Sequence, residues 1–181
     1  MGKVKVATTA MTSCFGCHMS ILDIDERLLD LIELVEFDKS PIDDIKEFSG
    51  PVDVGIIEGG VSNDGNLEVI RSFRKHCKIL ISIGECAIEG GIPAMRNAVP
   101  LKECLEEGYL KGPTTYNPAK RIPDDPDIPM LMNKVYPVHE VVKVDYFMPG
   151  CPPPADQIWA VLTALLTGKP IELPYEYIKK D

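Results

Sequence analysis

Positive charge is scarce in this chain. Its 19 Lys and Arg are outnumbered by 28 Asp and Glu, a formal net charge of -9. Nucleic acid and anionic membrane surfaces are bound through basic patches, so neither is expected as a partner. No apolar run reaches the roughly 20 residues that a bilayer-spanning helix needs, so the chain reads as not an integral membrane protein. A secretory leader is also missing: Met1-Gly2-Lys3-Val4-Lys5-Val6-Ala7 passes straight into a strand-like segment, with no apolar h-region and no small-residue cleavage site. Val6 stands where a myristoylation pattern needs Ser or Thr. These absences lead to a cytoplasmic location as the expectation. Thiols stay reduced there, so the six cysteines point to metal or redox chemistry rather than disulfides. Internal repeats, a Walker motif and a G-x-G-x-x-G turn are also lacking.

What is present suits one globular domain over residues 1–181, with 45% hydrophobic residues to build a core. Lys3–Thr8 reads as a first strand. Ile21, Ile24, Leu28, Leu31, Ile32 and Val35 recur on a helical period, which predicts one amphipathic helix from Ser20 to about Val35. A short strand is expected at Leu34–Asp38, and a short helix from Ser40-Pro41 to Gly50-Pro51. Val52–Ile57 and Lys78–Ile83 are buried strands, separated by a helix that Asp64-Gly65 opens and that carries Leu67, Ile70 and Phe73. Glu140–Met148 reads as a further strand and Pro152–Leu166 as a helix closed by Gly168. Residues 99–138 are rich in Pro, Gly and Asp, with weak periodicity. They read as a surface insertion that contacts another chain. Strands alternating with helices predict an α/β fold, a parallel sheet with helices on both faces.

That topology sorts the cysteines. In open α/β sheets ligands bind beyond the carboxyl ends of the strands. Cys14 and Cys17 follow the first strand, Cys86 follows Lys78–Ile83, and Cys151 follows Glu140–Met148. All four fall at one end. Cys77 precedes a strand, at the opposite end, and Cys104 lies in the insertion. Glycines frame the four: Gly16, Gly84, Gly90, Gly91 and Gly150 let backbone approach closely and offer N–H groups. Helices beginning just after Cys17, Cys86 and Cys151 favour an anionic group there. Four thiolates from separate loops are the usual socket of an iron–sulfur cube. Two other readings stand beside it: a zinc-bound scaffold, and a thiol–disulfide redox protein using Cys14 and Cys17.

The segments Cys14-Phe15-Gly16-Cys17, Gly84-Glu85-Cys86-Ala87-Ile88-Glu89-Gly90 and Pro149-Gly150-Cys151-Pro152-Pro153 resemble the small subunit of nickel–iron hydrogenases. The resemblance spans nearly the whole chain. It implies a flavodoxin-like three-layer α/β/α domain whose cysteine loops Cys14, Cys17, Cys86 and Cys151 bind one proximal [4Fe-4S] cluster. A second cysteine set, present in many members of that family, is absent here, which resembles the short type found in cytoplasmic NAD-reducing, bidirectional hydrogenases. The implied partners are a large subunit with the Ni-Fe centre and diaphorase and iron–sulfur subunits carrying FMN and the further Fe-S clusters. The implied function is an electron relay from H2 oxidation toward NAD. The related one-cluster quinone-reductase (complex I-like) subunit is the alternative; it has adjacent cysteines in the first motif, whereas Phe15 and Gly16 separate them here.

Glu58-Gly59 resembles a Glu-Gly of that family, at the end of the Val52–Ile57 strand. Glu58 is read as a group that passes protons or hydrogen-bonds near the cluster; a solvated or capping carboxylate is the equal rival. Glu85 and Glu89 flank Cys86 and are candidates for similar work, although loop charges are usually just solvated, and His18 reads as a packed or interface residue rather than a ligand. His76 and His139 have no partner motif. The loop Gly59-Gly60 with Ser62-Asn63-Asp64-Gly65 weakly suggests a phosphate or flavin site, and no flavin is expected in it.

Overall fold

A computed structural model, which describes residues 2–170 and 172–175, has the alternating architecture. Seven strands are found among the described residues: β1 Val4–Ala10, β2 Val35–Phe37, β3 Val52–Glu58, β4 Val61–Asn63, β5 Cys77–Ile83, β6 Leu131–Tyr136 and β7 Tyr146–Met148. The α-helices are α1 Gly16–Leu22, α2 Leu28–Leu34, α3 Asp64–His76, α4 Glu85–Ile88, α5 Leu101–Glu106 and α6 Ala155–Thr167. The main sheet runs β2-β1-β3-β5-β7, and every pairing in it is parallel. This is the flavodoxin order, which reverses between β1 and β3, where such folds place their ligand.

Strand side chains alternate between two faces. Val6, Ile56, Ile81 and Ile83 pack with Ile21, Leu31, Ile158 and Val161 of α1, α2 and α6. Ala7, Ile57 and Leu80 pack on the other face with Ile70 and Phe73 of α3. Both faces are therefore covered, as parallel sheets require. Gly55 in β3 is set by this packing: a Cβ there would lie 2.6 Å from Cys77 Sγ and 2.9 Å from Leu80 Cδ1. Cys77 is thus a core residue at the amino end of β5, its thiol pushed up to about 12, chiefly by burial.

Several predicted elements differ. The single helix over Ser20–Val35 is two, split by a 3-10 turn at Asp25–Arg27, where Asp25 takes a left-handed φ of 63°. Ile21, Ile24 and Leu31 still reach one core, so the apolar period survived the break. The helix predicted after Ser40-Pro41 is a set of turns closed by a Ser40–Ile45 bridge. Asp44 has a φ of 60° there, and Ser40 Oγ takes the Ile42 N–H instead of a helical carbonyl doing so. The strand predicted over Glu140–Met148 is confined to Tyr146–Met148. Its lead-in is a clamp: Asp145 Oδ2 accepts from Arg74 at 2.6 Å and from the Leu80 N–H at 2.9 Å. The stretch 99–138 is not all irregular. It holds α5, a π turn over Glu107–Lys111 and β6, which pairs antiparallel with β4. The last helix begins at Ala155, after the prolines, and ends at Gly168 in the left-handed conformation, as Gly there predicts.

Candidate metal centre

Three loops converge at the carboxyl edge of the sheet. Cys14 and Cys17 follow β1, Cys86 stands three residues past β5, and Cys151 three residues past β7. Backbone and side-chain bonds join the loops. Gly84 N–H donates to Met148 O at 2.9 Å, Glu85 N–H to Gly150 O at 3.0 Å, and Gly150 N–H to Glu85 Oε1 at 3.1 Å. Ser20 Oγ of α1 donates to Pro153 O, which ties the first loop to the third. Glu85 is therefore a structural acceptor and not just a solvated charge. The Cys151–Pro152 peptide is cis.

The glycines make room for sulfur. A Cβ on Gly84 would lie 2.3 Å from Cys17 Sγ, and one on Gly91 would lie 2.9 Å from Cys86 Sγ. Gly84, Gly91 and Gly150 have φ of 81°, 50° and 141°, a region that favours glycine. Cys17 is 8% exposed, Cys86 half-buried, and Cys14 and Cys151 exposed. The four thus run from the interior to the surface. Burial pushes the Cys17 thiol up strongly, and the charges of Glu58, Cys86, Cys14 and Cys151 push it further. Cys86 is raised in the same way, by burial and then by Cys151 and Cys14. The four predicted thiols are therefore electrostatic neighbours, while Cys104 stands apart in α5. Among the described residues, no three His, Cys, Asp or Glu side chains converge as ligands of a single metal ion do.

Glu58 closes β3 on the same edge and is 1% exposed, so it is not solvated, and it caps the first turn of α1. Its Oε2 accepts the His18 backbone N–H at 2.9 Å and pairs with His18 Nδ1 at 2.6 Å. Oε1 has no hydrogen-bond partner among the described residues. Burial drives the carboxyl up, but the two His18 donors, with Ser13 close by, outweigh it and hold the group below its usual range. His18 is a packed residue, as read, but its part in fixing Glu58 was missed. The two are 40 positions apart, and nothing local in the sequence marks the pair. Gly59 and Gly60 serve a close backbone approach instead of a phosphate cradle: a Cβ on Gly59 would lie 2.9 Å from Met11 C, and Gly60 bridges Thr12.

The model of the NADH ubiquinone oxidoreductase 20 Kd subunit family matches residues 14–165, a stretch that contains all four cysteines. The chain is 51% identical over 181 residues to the NAD-reducing hydrogenase HoxS subunit delta of Cupriavidus necator, covering 99% of this chain and 87% of that protein. The chain belongs to this family, as a hydrogenase small subunit. It resembles a component of the F420-non-reducing hydrogenase of Methanothermobacter marburgensis at 43% identity over 178 residues, spanning 95% of this chain but only 56% of that protein. A crystal structure of an NAD+-reducing nickel–iron hydrogenase in the H2-reduced state matches with a TM-score of 0.95 and 46% identity, over 99% of this chain and 100% of that one. The nickel–iron–selenium hydrogenase of Dm. baculatum, at 15% identity and a TM-score of 0.57, shares the fold, over 98% of this chain and 69% of that one. Within the family, the quinone-reductase reading is not better supported than the hydrogenase one. No helix among its described residues is long and apolar enough to cross a membrane.

Proposed function

We propose that this chain is the electron-transfer subunit of a cytoplasmic NAD-reducing hydrogenase, and that Cys14, Cys17, Cys86 and Cys151 hold one [4Fe-4S] cluster. The observation that carries the reading is the gathering of these four thiols from three separate loops, with Cys17 Sγ set against a glycine. The residues present fit such a group. Thiolates are its usual ligands, and the tight glycine turns supply N–H groups and space. One tetrahedral zinc ion would draw its sulfurs to about 3.7 Å of one another around a single point, whereas a cube takes one thiolate at each of its irons.

When bound, the cluster supplies one-electron chemistry between H2 oxidation at the Ni-Fe site of a large subunit and an FMN- and iron–sulfur-bearing diaphorase part that reduces NAD. The protein's own residues do the rest. Cys17, buried among its glycine neighbours, would hold the cluster from the interior, and the exposed Cys14 and Cys151 would hold it from the surface, within reach of a docked partner. Glu58, read as a proton carrier or a hydrogen-bonding neighbour of the cluster, presents a buried carboxylate on this edge for either task.

The test is anaerobic purification with the co-purifying subunits, followed by iron and sulfide analysis and electron paramagnetic resonance after reduction. Four irons on this subunit with a reduced-cluster signal, both lost in C151S together with H2-driven NAD reduction, are expected. Zinc in this site, or NAD reduction undiminished in C151S, overturns the reading.

A further inference from the structure

Beside Cys17 lies an enclosed polar chain that the ligand set does not use. His18 is fully buried. Its backbone N–H and its ring Nδ1–H converge on one oxygen, Glu58 Oε2, at 2.9 and 2.6 Å. On the far side of the ring, Nε2 lies 3.1 Å from Thr8 Oγ1, which lies 2.8 Å from Ser40 Oγ, and Ser40 Oγ in turn accepts the Ile42 N–H. These contacts form one continuous series, from the Ile42 N–H through Ser40 and Thr8 to the His18 ring and Glu58. Phe15 stacks on the imidazole at 4.6 Å between centroids, tilted by 12°. The ring is therefore held at both nitrogens and on one face.

Stability alone does not account for this arrangement. A well-packed apolar pair is often as stable as a buried charged one, and the surrounding core is rich in Ile, Leu and Val. What the pair adds is a carboxylate fixed in place. The Glu58 charge acts on the thiols of both Cys17 and Cys86, which belong to different loops. A fixed negative charge in a water-poor site opposes the addition of an electron nearby.

We propose that His18 is a positioning residue: it locks the Glu58 carboxylate beside Cys17, and so holds low the reduction potential of the group that the four cysteines bind. This role rests on the cluster reading proposed for those cysteines. It makes Glu58 the group that sets the potential and His18 the group that keeps it set, with Thr8 and Ser40 orienting the ring.

The experiment is an anaerobic redox titration of the assembled hydrogenase, followed by electron paramagnetic resonance, for wild type, E58Q, H18F and H18N. Iron and sulfide are counted first. E58Q, which keeps shape and removes charge, is expected to raise the midpoint by at least a tenfold change in the reduced-to-oxidised ratio at fixed potential, which is about 59 mV for one electron. H18F, which removes the ring donor, moves it the same way. H18N, whose amide N–H stands near the Nδ1 position, returns it toward wild type. A merely structural histidine would change iron content or thermal stability without this pattern of potentials. Full iron with wild-type midpoints in E58Q and H18F overturns the role of His18. If H18F does not assemble, an unmoved midpoint in E58Q still does so. Wild-type complex with no iron on this subunit overturns the cluster reading and this role together.

Discussion

Gly84→Ala tests the cradle on which the proposed metal centre depends. Gly84 has φ 81° and ψ 158°, a conformation almost confined to glycine. Placing alanine there costs about 1–3 kcal/mol in the backbone alone. The new methyl would also lie 2.3 Å from Cys17 Sγ, and overpacking of that kind costs about 1–3 kcal/mol more. The sum is about 2–6 kcal/mol, a large part of the 5–15 kcal/mol that typically separates folded from unfolded chains. The two parts can be separated. In a C17A background the sulfur is gone, and the nearest remaining atoms are Gly150 O at 3.5 Å and the residue-17 Cβ at 3.9 Å, both ordinary contacts. Only the backbone part should then remain. Urea unfolding of the metal-free chain under reductant, followed by circular dichroism, gives the four stabilities of the cycle. A coupling of about 1–3 kcal/mol between the two substitutions is expected. An equal cost of Gly84→Ala in both backgrounds would refute the close sulfur–glycine approach and, with it, the argument that this turn is shaped for a ligand thiol.

C77S should leave iron content unchanged, because Cys77 is a core residue at the far end of β5, and should destabilise by about 1–3 kcal/mol through a buried hydroxyl without a partner; loss of iron would contradict the sorting of the cysteines. D145N should cost about 1.5–3 kcal/mol near neutral pH, since it removes the charge that pairs with Arg74 and leaves only a neutral amide oxygen to accept the Leu80 N–H. Burial raises the Asp145 carboxyl, but Arg74 and the Leu80 N–H outweigh it and leave the group lowered. Its stabilisation is then complete above the unfolded carboxyl value of about 3.9 and is lost as pH falls through the lower folded value. The gap between wild type and D145N should therefore shrink in acid unfolding curves below about pH 4, and a gap that widens there would contradict the sign. F73A, in the core between the sheet and α3, should cost about 3–5 kcal/mol by thermal or urea unfolding.

Some of this protein was determined by local sequence. The apolar runs Val52–Ile57 and Lys78–Ile83 are β3 and β5, because a strand buried on both faces needs continuous hydrophobicity. Asn63 caps α3 by accepting the Asn66 N–H at 2.7 Å, and Gly168 ends α6, since both signals act within one turn of helix. The division of the cysteines followed from chain order alone, because parallel strands put every following loop at one edge. Other features were decided only by tertiary structure. A left-handed Asp25 breaks the first helix without breaking its apolar period. Asp145 delays the start of an apparent strand through partners, Arg74 and Leu80, that lie at least 65 positions away. The lock of His18 on Glu58, and the contact of Cys17 Sγ with Gly84, join residues that only the β1, β3 and β5 register brings together. Local sequence determines where a strand or helix forms, because those preferences act over a few residues. Which buried groups meet, and so what charge lies beside the cysteines, depends on contacts between distant segments that exist only once the sheet has assembled.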